Sequence, residues 1–169
     1  MDRVRVLREN SLLAVVNPAK ISKITAHVDG AARGNPGPAA AGVVFQKDKK
    51  IIKTLSVPIG NSTNNVAEYC ALILALQEAL MMGARQLQVF TDSELVAKQF
   101  NGEYKVKEPS LKALYCLAAH LRGGFEKLTL THVPREENRL ADNAANKALD
   151  QFDFFCKPDD RCVEGGGPP

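Results

Sequence analysis

Apolar and polar positions alternate with period two through ITAHVD (24–29), as in a half-buried strand. The following stretch, GAARGNPGP, holds three glycines and two prolines and reads as a loop. AAAGVVFQ and KIIKTLSVPI then flank the charged turn Lys47-Asp48-Lys49 as a hairpin, which makes three consecutive antiparallel strands. Helical spacing takes over next. Val66, Ala67, Cys70, Ile73, Leu74 and Leu80 mark a helix capped by Asn64-Asn65, running through Met82 and stopped by Gly83. LQVFTD (87–92) is a further strand, and Ser93 opens a short helix ending near Asn101-Gly102. Pro109-Ser110 open another helix, closed by Gly123-Gly124. KLTLTHV is the last strand, stopped by Pro134, and a final helix covers Asn138 to Phe152. A hairpin of strands followed by alternating helices and strands predicts an α/β fold, a mixed sheet with helices on its faces.

Two segments fall outside this pattern. Residues 3–16 alternate apolar and basic (RVRVLR), break at Glu9-Asn10-Ser11 and resume as SLLAVV, so 1–22 reads as an N-terminal extension forming a β-hairpin, ended by Asn17-Pro18. Residues 153–169 have no periodicity and read as a flexible tail. The folded domain is expected over 23–152.

Composition permits a core and narrows the compartment. With 169 residues and 45% hydrophobic content, one domain can bury a real interior. No apolar run reaches the roughly 18 residues of a membrane span, and LLAVV is too short for a secretory signal. Cys70 and Cys116 sit in apolar helical patterns and read as small core residues. Cys156 and Cys162 have neither CxxC spacing nor histidine partners, which argues against zinc, and a disulfide is disfavoured in a cytosolic chain. The expectation is a cytoplasmic protein. Net charge is only +3, but residues 25–149 hold fifteen bases against twelve acids, four of which form a candidate site. Without those four the basic excess suits a polyanion binder.

Those four acids carry most of the chemical information: Asp29 in HVDGAARGNPGP, Glu68 in STNNVAEY, Asp92 in VFTDSELV and Asp142 in NRLADNAAN. Asp29 and Asp92 each close an apolar run; Glu68 and Asp142 lie in helical stretches. Taken singly, each reads as a turn, cap or solvated helix acid. Acids placed at element ends can converge in space, and a converged set repels itself unless cations or raised pKa values relieve it. Such hard oxygen ligands suit Mg²⁺ or Mn²⁺.

Taken together, DG-x-x-x-G-N-P-G-P, T-N-N-x-x-E, T-D-S and N-x-x-A-D, in this order over 24–150, resemble the type 1 ribonuclease H family. The resemblance implies a ribonuclease H-like fold, with a five-stranded sheet of three antiparallel then two parallel strands between helices on both faces. It also implies an endonuclease that hydrolyses the RNA strand of RNA/DNA hybrids, leaving 5′-phosphate and 3′-hydroxyl ends. Carried over motif by motif, Asp29, Glu68, Asp92 and Asp142 hold two Mg²⁺ or Mn²⁺ ions roughly 3.5–4 Å apart, with the Gly30 backbone beside them. Gly30, Asn35, Asn64 and Glu94 take the positions that meet the RNA strand, and Thr63 and Asn65 those that meet the DNA strand. Helix capping by Asn64 and Asn65, and a turn role for Asn35, stand as the structural alternatives.

In its departures from the family pattern the chain resembles the family's short archaeal and bacterial subtype. There is no Trp, and only NGEYKVKEPS stands where better-known members carry a long basic insertion. Asn61 replaces the Arg often found ahead of TNN. Two alignments are open for the loop before the last helix. Counted back from Asp142, His132 matches a catalytic loop histidine; as a strand end with a shortened loop, His132 is a wall residue and Arg135 faces the site. Pro134, which fixes the chain direction, favours the second. His27 reads as a packed or flanking residue. The expected partner is an RNA/DNA hybrid bound by a monomer, with double-stranded RNA open as a second substrate. The competing classes are a catalytically silent hybrid-binding module and a related polynucleotidyl transferase.

Overall fold

A computed structural model describes residues 23–155, with side chains through Gln151. The predicted hairpin at 1–22, most of the predicted tail, and Cys156 and Cys162 lie outside the described residues. Five strands form one sheet: β1 (Lys23–Ala32), β2 (Gly37–Lys47), β3 (Lys50–Ser62), β4 (Gln86–Thr91) and β5 (Lys127–His132). Their order is β3-β2-β1-β4-β5. β1, β2 and β3 pair antiparallel, and β4 and β5 add on parallel, as expected from the sequence. The helices are α1 (Asn64–Met81), α2 (Glu94–Phe100), α3 (Pro109–Arg122) and α4 (Arg139–Phe155), with a 3-10 turn at Arg135–Glu137.

The sheet buries both faces by different means. Ile24, Ala26 and Val28 of β1, with Ala41, Val43 and Phe45 of β2, pack against α1 in the main core, which also takes in Leu87, Val89 and Leu130. α1 is buried nearly all round, centred on Leu72, Ala75, Leu76 and Ala79, because α3 covers its far side. Its weakly amphipathic sequence is therefore that of an inner helix. The opposite face carries α4 on small residues. A Cβ built on Gly42 would lie 2.4 Å from both Ala141 O and Ala145 N, so only glycine lets α4 sit this close to β2.

Several boundaries differ from expectation. The Gly/Pro stretch 30–38 is mostly strand: Gly30, Ala31 and Ala32 pair with Ala41, Ala40 and Ala39, leaving Arg33–Pro36 as the loop. Turn-forming residues were outweighed there by ladder pairing on a central strand. Thr63, rather than Asn64-Asn65, is the α1 N-cap, its Oγ1 accepting from Val66 N. The hairpin turn rests on Asp48 and Lys49, both at positive φ (50° and 63°), the backbone of a two-residue turn that follows strand twist. Cys116 is exposed on α3 and is not a core residue, while Cys70 is half-buried. α4 continues to Phe155, past the predicted end.

Gly42→Ala should cost about 1–3 kcal/mol by forcing α4 away from the sheet. The expected readout is a melting-temperature drop on the order of 5 °C. An unchanged Tm would show that α4 is not seated on this glycine.

Candidate active site

The sheet register places the first two acids. Val28 pairs with Thr91 across the parallel β1–β4 ladder, so Asp29, within β1, and Asp92, just past the end of β4, stand side by side. Glu68 arrives from the first turns of α1, which passes close over β1 at Gly30. A Cβ on Gly30 would lie 2.1 Å from Glu68 N, and Gly30 N donates to Glu68 Oε2 at 3.1 Å. Asp29, Glu68 and Asp92 thus offer carboxylate oxygens within 4.8 Å of one another. Asp142, in the first turn of α4, stands outside that trio but lines the same 480 Å³ cavity.

Burial and mutual repulsion mark the cluster. Burial, then the charges of Asp92 and Asp142, push Asp29 from 3.8 up to about 8; a hydrogen bond to Asp92 adds to this and Arg135 opposes it. Glu68 is raised well above the carboxylate range by burial, then by Asp29 and Asp92, against the pull of the Gly30 N–H and Arg135. Close-set, desolvated carboxylates that hold protons at neutral pH are the donor set a hard divalent cation would relieve. The residues present fit such an ion.

Asp142 is held differently. Arg135 Nη2 donates to its Oδ1 at 2.6 Å, and Asn146 Nδ2 donates to its Oδ2 at 3.1 Å and its main-chain O at 2.9 Å. Of the two loop candidates, Arg135 lines the cavity. His132 is exposed at the end of β5, absent from the cavity lining, and its charge acts on Glu94.

The remaining predicted positions separate into two groups. Gly30 and Asn64 line the cavity, and Asn35 Oδ1 accepts from Asn64 N at 3.1 Å, tying the β1–β2 loop to the start of α1. Thr63 caps α1 and Asn65 is exposed beside it. Glu94 is exposed at the start of α2, paired with Lys98 Nζ at 2.6 Å and outside the cavity lining. His27 is half-buried and stacked on Phe90, with centroids 5.0 Å apart, a packed position as expected. Sequence reading missed Arg33, Ser93 and Asn146 as cavity residues, and Asn138 beneath them. The N-x-x-A-D motif did contain Asn138, but only as a helix start.

A mixed sheet of this order, with acids converging beside its central strand, defines a class of metal-dependent nucleases. The comparisons are specific. Residues 27–148 match a family model described as reverse transcriptase-like. Ribonuclease HI of Halobacterium salinarum is 44% identical over 82% of this chain and 70% of its own length. The solved structure of that archaeon's RNase H1 superposes with TM-score 0.75, covering 77% of this chain and 99% of that one. A bifunctional protein of Mycobacterium tuberculosis is 44% identical over 76% of this chain, which spans 36% of that protein's length. LC11-RNase H1, from a compost metagenome and solved in complex with an RNA/DNA hybrid, is 44% identical with TM-score 0.72, over 76% of this chain and 97% of its own. The chain belongs to the type 1 ribonuclease H family.

The acids also set a pH dependence. In the unfolded chain they titrate in the ordinary carboxylate range, so the folded, metal-free protein binds more protons until pH passes about 8. Its stability therefore falls as pH rises through that window. His27, lowered from 6.5 by burial, works in the opposite sense below that value, so the carboxylates are isolated above it. With EDTA present, Tm should fall from about pH 6.5 to pH 8, and Asp29→Asn should reduce the fall, leaving the share that Glu68 contributes. Added Mg²⁺ should raise Tm more at the upper end. A flat wild-type profile would contradict the raised pKa values.

Proposed function

We propose that this chain is an endonuclease that hydrolyses the RNA strand of RNA/DNA hybrids, using Mg²⁺ or Mn²⁺, two ions per site with substrate. The products carry 5′-phosphate and 3′-hydroxyl ends. One observation carries the reading: Asp29, Glu68 and Asp92 converge within 4.8 Å beside the central strand of a ribonuclease H fold. Family membership and the hybrid bound to the 44% identical LC11-RNase H1 support the substrate class.

Bound divalent ions supply an activated water and neutralise charge on the leaving oxygen. The chain's own residues do the rest. Asp29 stands beside both Glu68 and Asp92, and the three would hold the ions together. Asp142 closes the fourth side of the cavity. Arg135 puts a permanent positive charge on the wall, where it can meet a phosphate. Gly30 lines the cavity, and Asn35 and Asn64, bonded to each other, form the edge on which 2′-hydroxyls would be read. Clustered acids facing phosphates give a silent binding module nothing, which favours the enzyme. We take the enzyme to act as a monomer in the cytoplasm, where the free thiols of Cys70 and Cys116 would be at home.

Cleavage of a labelled hybrid with Mg²⁺ or Mn²⁺ should fall in Asp92→Asn by more than the roughly 10–100-fold typical of outer-shell changes. Double-stranded RNA run in parallel tests the second substrate. Equal cleavage by the two proteins, or none by wild type at any metal concentration, sinks the assignment.

A further inference from the structure

Asn138 is fully buried, a rare state for a carboxamide, and it sits under the acidic site. Its Nδ2 donates to Val28 O at 2.8 Å and to Asp92 Oδ1 at 2.9 Å. Its backbone is tied just as closely: Asn138 N donates to Arg135 O at 3.0 Å, and its carbonyl accepts from Asp142 N at 3.1 Å. One residue therefore touches the strand residue before Asp29, the Asp92 carboxylate, and the main chain of both Arg135 and Asp142.

The orientation of the carboxamide is determined. Both contacts of its nitrogen are oxygens, so the NH₂ end must face them and the carbonyl end must face away. That carbonyl oxygen and His27 Nδ1 are the two buried side-chain polar atoms without a formal hydrogen-bond partner among the described residues. The two groups interact electrostatically, and a His27 tautomer protonated at Nδ1 gives each what the other lacks. The His27 ring is held in place by its stack on Phe90.

We propose that Asn138 is the positioning residue of this site: backed by His27, its carboxamide fixes the Asp92 carboxylate and locks the segment bearing Arg135 and Asp142 onto β1. This rests on the reading that the acids hold divalent ions. A ligand anchored through one oxygen meets an ion with little reorganisation, which raises affinity and turnover together.

Mn²⁺ binding by calorimetry, with kcat and KM on a hybrid, separates this role from simple packing. Asn138→Ala should weaken Mn²⁺ binding about tenfold and lower kcat by a similar factor, leaving KM for the hybrid nearly unchanged. Asn138→Asp keeps the shape but loses the donor, and should lose as much. His27→Phe keeps the ring on Phe90, leaves the buried core intact and should show a smaller loss of the same kind. Circular dichroism restricts the comparison to folded protein. Wild-type Mn²⁺ affinity in Asn138→Asp, or a fall in Tm with no change in affinity for any variant, overturns the proposal. Wild-type affinity in His27→Phe alone overturns the part assigned to His27. If wild type binds Mn²⁺ with this dependence on Asn138 but cleaves no hybrid, positioning stands and the hydrolase reading fails.

Discussion

Like charges held together out of water are the constraint on which this molecule turns. Raising Asp29 from 3.8 to about 8 corresponds to several kcal/mol of unfavourable interaction for the ionised form. A domain of this size has a total stability of only about 5–15 kcal/mol. Keeping the metal-free site folded therefore takes a real share of the fold's margin. Everything nearby either limits that burden or prevents the acids from relaxing apart. The Gly30 N–H on Glu68 and the positive charge of Arg135 limit it. The sheet register and the helix seats prevent relaxation.

Those seats are made of small residues, and the reason is geometric. Side-chain reach is short for aspartate, so the backbones themselves must approach. Gly30 admits α1 to β1, and Gly42 admits α4 to β2. Around Gly42 the contact residues are alanines, and Ala40, Ala148 and Leu149 continue the seam. Such a contact buries little area per residue, so bulk hydrophobic stabilisation comes from the other face, where Tyr69, Leu72, Leu76 and Phe45 are fully buried. One face of the sheet supplies stability, and the other supplies precise placement.

Local motifs were legible for that reason. Asp29 and Asp92 follow alternating apolar runs, and Glu68 follows its capping signal by a few residues, so strand and helix patterns marked them before any tertiary contact was known. Gly and Pro misled at 30–38, since ladder pairing of Ala31 and Ala32 outweighs their turn preference. Cys116 looked internal because helical periodicity does not say which side of α3 meets α1. Asn138 was illegible in kind. Its partners lie 110 and 46 residues away in sequence, and nothing in N-x-x-A-D distinguishes a helix start from a buried strut. The open choice between His132 and Arg135 was of the same sort, and the cavity takes Arg135.

That outcome gives the fourth acid a distinct character. Asp142 lies apart from the tight trio and already has a counter-ion in Arg135, whose side chain is 74% exposed. Exposed pairs of this type are worth little, about 0–1 kcal/mol, so the guanidinium is readily drawn to a better acceptor. A phosphodiester entering the cavity offers one, with fork-like geometry suited to arginine. In the proposed hydrolase, substrate arrival would then release Asp142 as it captures Arg135, making the fourth ligand available when the scissile phosphate is present. Asn146 holds Asp142 Oδ2 during that exchange, and Asn138, bonded to Val28 O, keeps the segment on β1. The trio is preassembled by the sheet register and the helix seats, while the fourth acid stays paired with Arg135 until the substrate competes for that guanidinium.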